Sequence, residues 1–101
     1  MEIQRIIAIY RSINDPLEDE SIKAYYVNNQ WKLKKDFIRE IQTAMISQKE
    51  LIIYVGDSNT EVELRYGKNG FYLRSINNST TNDNLYNLPL KEPPAWLKAR
   101  A

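Results

Sequence analysis

Phe71-Tyr72-Leu73-Arg74-Ser75 and, after a polar spacer, Asp83-Asn84-Leu85-Tyr86-Asn87-Leu88-Pro89 decide how this 101-residue chain closes its fold. The first segment reads as the last strand of a sheet. The spacer, Asn77-Asn78-Ser79-Thr80-Thr81-Asn82, is made of side chains that hydrogen-bond their own backbone, so the strand stops there and the chain turns back. Leu85 and Leu88 then recur one turn apart before Pro89 ends any helical turn. The expected result is a strap: a polar loop, then two apolar anchors that tie the C-terminal segment onto the sheet. Arg74 carries a planar fork of donors suited to a carboxylate, and Asp83 arrives where the chain has returned past the strand, so an Arg74–Asp83 contact is expected to pin the strap. Asn84 and Asn87 would satisfy backbone groups of the turn. The same residues have a second use, in which Tyr72, Arg74 and Asp83 face a groove and hold an anionic or peptide ligand.

Upstream of the strap, Gly67-Lys68-Asn69-Gly70 is a hairpin turn, since glycine and asparagine tolerate positive φ. It joins the last strand to residues 61–66, where Val62, Leu64 and Tyr66 alternate inward against Glu61, Glu63 and Arg65. Residues 51–55 form a compact apolar run that ends at the turn Gly56-Asp57-Ser58-Asn59. Over residues 35–47, Phe37, Ile38, Ile41, Ala44 and Met45 make one apolar helical stripe, entered through a short extended piece bearing Trp31 and Leu33. That helix has no good N-cap residue, and Lys34 and Lys35 sit at its positive end. Residues 3–10 are rich in isoleucine on both faces, with Ile6, Ala8 and Tyr10 on one and Ile7 and Ile9 on the other, which places this strand near the middle of a sheet. It pairs as a hairpin with residues 22–27 across Asn14-Asp15-Pro16 and an acidic loop. That loop lacks the spaced ligands of a calcium loop and reads as solvated. The fold expected is a small α+β domain with a mainly antiparallel sheet in the order β-β-α-β-β-β and one helix on one face. Residues 1–90 form one domain, and residues 91–101 form a tail docked through Trp96.

Gly70-Phe71-Tyr72-Leu73-Arg74-Ser75, the polar spacer and Asp83-Asn84-Leu85-Tyr86-Asn87-Leu88-Pro89 together resemble the signature of domain-of-unknown-function family 3892, small bacterial and phage proteins. Ser75 stands where the family usually has threonine and keeps the hydroxyl. The order of elements upstream looks similar along nearly the whole chain. The resemblance implies a fold and brings no activity with it.

Composition excludes several classes of chemistry. With no cysteine and no histidine, disulfides, thiolate nucleophiles and the usual zinc, iron and copper sites cannot be assembled, and no cofactor is expected. No nucleophile elbow or phosphate-binding loop is present, so no catalytic residue is assigned and the chain is not read as an enzyme. The N-terminal residues lack a secretory pattern and no apolar run is long enough to span a bilayer, so a cytoplasmic protein with no membrane contact is expected. A net charge of +1 creates no global field for nucleic acid.

Two binding readings remain. Seven tyrosines exceed what so small a core buries with every hydroxyl satisfied, so several should reach the surface and serve a protein partner or self-association. Tyr72, Arg74, Asp83, Asn84, Asn87 and Trp96 are the candidate binding residues for this leading reading. The alternative is an accessory protein for nucleic acid, with Lys32, Lys34, Lys35 and Arg39 meeting phosphates beside the Trp31 ring.

Overall fold

The computed structural model describes residues 1–76 and 85–101. In chain order the elements among the described residues are β1 (Glu2–Tyr10), a 3-10 turn (Asp19–Ser21), β2 (Ala24–Val27), β3 (Gln30–Leu33), α1 (Lys34–Ile46), β4 (Leu51–Val55), β5 (Val62–Gly67), β6 (Gly70–Ser75), another 3-10 turn (Leu85–Asn87) and α2 (Ala95–Arg100). The α+β class with a helix on a mainly antiparallel sheet is what the periodicities predict. Two details differ. The extended piece before the helix is a full strand, because Asn28 and Asn29 both adopt positive φ (49° and 65°) and close a tight hairpin from β2 into β3. The strands also divide into a four-stranded sheet, β3-β2-β1-β4, and a separate β5-β6 hairpin. An isolated bridge between Tyr54 and Glu61 links the two.

β1 is central, antiparallel to β2 and parallel to β4, which explains its isoleucines on both faces. A bulge between Ile6 and Ala8 inserts Ile7 into the ladder, so Ile6 and Ile9, three residues apart, enter one core. Simple alternation, which pairs Ile7 with Ile9 and Ile6 with Ala8, fails at this bulge. The core gathers Ile6, Ile9, Tyr25, Val27, Ile53 and Val55 from the sheet, Phe37, Ile38 and Ile41 from α1, and Leu73 and Leu85 from the hairpin and strap. Each such side chain contributes roughly 1.5–3 kcal/mol by leaving water. α1 begins at Leu33 with no side-chain cap, so its place is set by this apolar stripe.

The strap does its expected work at Leu85, which is fully buried, and at Leu88, which packs on the core margin against Gly56. It also extends the sheet. Ile9 donates its N–H to Pro89 O (3.1 Å) and accepts at its carbonyl from Lys91 N–H (3.2 Å), so residues 89–91 lie along β1 beyond the end of β4. The expected Arg74–Asp83 contact and the role given to Asn84 lie outside the described residues.

The tail docks, but through Leu97 rather than Trp96. Leu97 is fully buried with Ala24 and Leu33 and flanked by Tyr10 and Trp31, whereas Trp96 is 54% exposed. Consecutive helical residues point about 100° apart, so only one of the two meets the sheet. Tyr66, expected inward, is 75% exposed because the tip of the β5-β6 hairpin extends beyond the core. No described helix is long and apolar enough to cross a membrane.

Candidate functional site

The face of the four-stranded sheet opposite α1 carries the first candidate surface. Ile3 pairs with Ile52 and Arg5 with Tyr54 across β1 and β4, and Tyr26 pairs with Trp31 across β2 and β3. Strand alternation sends these residues away from α1, since Gln4 and Ile6, Ile53 and Val55, and Tyr25 and Val27 point toward it. The Arg5 guanidinium lies 4.8 Å from the Tyr54 ring centroid and donates to the carbonyls of Gly56 (3.0 Å) and Ser58 (2.9 Å). Lys91 Nζ sits 3.8 Å from the Tyr26 ring, which in turn tilts against Trp31 at 5.3 Å. Two rings are thus held by cations in fixed orientations. α2 covers the β2-β3 end of this face, while Ile3 at the β1-β4 end is 47% exposed and Ile7 at the bulge 40%.

The second candidate is a groove of about 840 Å³ between the loop of residues 15–23, the first turns of α1, the β5-β6 tip and the end of α2. Lys34, Lys35 and Arg39 line it, as does Phe71 from β6. Lys34 Nζ donates to the Glu20 carbonyl at 3.1 Å, and burial lowers the Lys34 pKa against the opposing pull of Glu20.

The third is a half-buried polar corner made by the acidic loop, which is docked rather than simply solvated. Asp19 Oδ1 accepts the Tyr86 N–H at 3.2 Å. Burial pushes the Asp19 carboxyl up to about 6, against the Tyr86 hydrogen bond and the Arg74 charge, which both lower it. Beside it, burial and the Asp19 charge raise the Tyr25 phenol. Tyr25 OH and Ser75 Oγ are buried without a hydrogen-bond partner among the described residues.

These three places redistribute the residues singled out in the sequence. Tyr72 and Arg74 lie beside the acidic loop: a Cβ on Gly67 would fall 2.8 Å from the Tyr72 ring and 3.3 Å from the Glu20 carboxylate. Asn87 and Trp96 are exposed on separate elements, the Leu85–Asn87 turn and α2. The basic patch is split by the sheet itself. Trp31 faces away from α1, whereas Lys32 lies beneath α1, its Nζ 2.8 Å from Glu40 and 5.2 Å from the Phe37 ring. Burial raises the Glu40 pKa, but hydrogen bonds from Lys32 and Gln4 outweigh it and hold the carboxyl below its usual value. Lys34, Lys35 and Arg39 stay together in the groove.

Sequence reasoning missed Arg5, Tyr26, Tyr54 and Lys91 as neighbours on one surface. Alternation alone pointed to it, but the polar Gln4 on the covered face and the apolar Ile3 on the open one invert the usual pattern.

The class defined here is a small α+β domain with one sheet face sealed by a helix and the other partly open. More particularly, the chain belongs to the family described as Protein of unknown function (DUF3892), whose model matches residues 5–89, from β1 through the strap. No curated protein and no solved structure matches the chain.

Proposed function

We propose that this chain acts by association rather than catalysis, docking a protein partner on the open face of its four-stranded sheet, with a second copy of itself as the simplest partner. The observation that carries this reading is the cluster of Ile3, Ile52, Tyr26, Trp31 and Tyr54 on one sheet face, with Arg5 and Lys91 holding two of the rings. Amphipathic rings with little rotamer freedom left are effective interface anchors. Separation of Trp31 and Lys32 onto opposite faces takes the aromatic away from the basic patch, which favours a protein partner over nucleic acid on this surface.

The test is molar mass by light scattering over a wide concentration range, paired with crosslinked recovery of partners from native host lysate. Mass that rises with concentration, or a recovered protein, should be lost in Tyr54→Ser with Ile52→Asp. A concentration-independent monomer that recovers no host protein refutes the proposal.

A further inference from the structure

We infer that the groove beside α1 binds a nucleotide, with Lys35, Arg39 and Arg100 holding its phosphates and Phe71 supporting its base. This goes beyond association on the open sheet face and concerns a different surface.

The groove is assembled from four stretches distant in sequence, and its volume of about 840 Å³ falls within the range of small-molecule sites. Five cationic side chains line it against three acidic side chains, in a chain whose net charge is only +1. Two of those cations already have protein partners: Lys23 lies 3.7 Å from Asp15, and Lys34 donates to the Glu20 carbonyl. Lys35, Arg39 and Arg100 are exposed and form no ion pair among the described residues.

Their placement costs stability in the free protein. Lys35 stands in the first turn of a helix that has no side-chain cap, where the macrodipole disfavours a cation, and it precedes Arg39 by four residues, a like-charge spacing. A group with two or more negative charges set between them offsets both penalties. Arginine forks match phosphate oxygens, and three cations lining one groove fit a di- or triphosphate better than a single carboxylate.

The aromatic element lies on the hairpin. Phe71 is 42% exposed at the groove lip, edge-on to Tyr66 with the centroids 4.9 Å apart. This ring pair stands beyond the core and offers a planar surface to a base. Glu18 and Glu20, which also line the groove, accept from hydroxyl or amino donors and repel a chain of phosphates laid along it. That selects a mononucleotide over a nucleic-acid strand.

The experiment is a titration of the full chain with ADP, adenosine, pyrophosphate and a 5′-phosphorylated oligothymidylate, read by calorimetry and by backbone amide shifts. ADP is expected to bind and to shift the amides of Lys35, Arg39 and Phe71, more tightly than pyrophosphate and far more tightly than adenosine. Arg39→Gln with Arg100→Gln should weaken ADP by about tenfold or more, the scale of lost charge-assisted hydrogen bonds. Phe71→Ala should weaken ADP while leaving pyrophosphate unchanged. These side chains are exposed, so melting temperatures no lower than that of the wild type will show that the variants fold, and Lys35→Gln serves as an independent third variant. Absence of ADP binding, binding indifferent to these substitutions, or binding of the oligonucleotide without ADP each overturns the inference.

Discussion

On the side of the four-stranded sheet that meets α1, Ile6, Tyr25, Ile53 and Val55 are withdrawn from water, while on the other side Ile3, Tyr26, Ile52 and Tyr54 remain partly in it. The two sets alternate along the same strands and are of the same residue types. What separates them is the length of cover. α1 has 13 residues, roughly 20 Å of helix, and is joined by the β5-β6 hairpin and the strap. α2 has six residues, roughly 9 Å, and reaches only the β2-β3 end. Apolar character on a strand therefore marks core on one side and a partly open surface on the other, and the covering elements decide which.

Adjacent residues of β4 test that contrast most strongly. Ile53→Ala on the covered face is expected to cost about 2–4 kcal/mol in urea unfolding, while Ile52→Ala on the open face costs less than about 1 kcal/mol. Equal losses would remove the distinction between the faces.

The strap extends the comparison along the chain. Leu85→Ala, from a fully buried site, is expected to cost about 2–4 kcal/mol, and Leu88→Ala, at the core margin, about 1–2 kcal/mol. Arg74→Ala should fall below both, since Arg74 is only partly buried and acts on Asp19 through its charge. A melt in which Arg74→Ala unfolds earlier than Leu85→Ala would show that charge, and not burial, fastens the strap.

The polar corner sharpens the comparison through pH. The Asp19 carboxyl has a folded pKa of about 6, above its ordinary 3.8, so between these values the folded state binds more protons than the unfolded chain. Its contribution to stability is thus greatest below the ordinary value and falls as pH rises through about 6, beyond which it is level. Asp19→Asn keeps an oxygen for the Tyr86 N–H and should remove this slope. The difference between wild-type and variant melting temperatures, followed from pH 4 to 7, isolates the effect from Glu40, whose lowered pKa acts in the opposite direction. A constant difference across that range would show that Asp19 does not titrate differently on folding.

The smallest effect on stability is expected at Tyr54→Ala. Its ring is only partly buried and rests against Arg5, so the loss should be about 1 kcal/mol or less. Association measured by light scattering should nevertheless fall. Stability loss on the scale of Ile53→Ala with association intact would assign Tyr54 to the fold alone.

Much of this architecture is legible in the chain because it rests on neighbours in sequence. Period-two alternation marks β5, the stripe from Phe37 to Ile41 marks α1, and the spacing of Leu85 and Leu88 marks the strap, whose deeper and shallower anchors only the packing distinguishes. The ordered residues from Gly70 to Pro89 carry the family resemblance, and the family match covers them. Tertiary structure alone decided the rest, since it depends on residues far apart in the chain. The bulge at Ile7 splits the faces predicted for β1, putting Ile6 with Ile9 instead of with Ala8, and the parallel pairing of β1 with β4 brings Arg5 onto Tyr54. A hydrogen bond across 67 positions takes Asp19 out of solvent, and helix phase buries Leu97 in place of Trp96. Local periodicity specifies which residues share a face. Which face is covered, and which charge meets which ring, follows from packing between segments that local preferences do not encode.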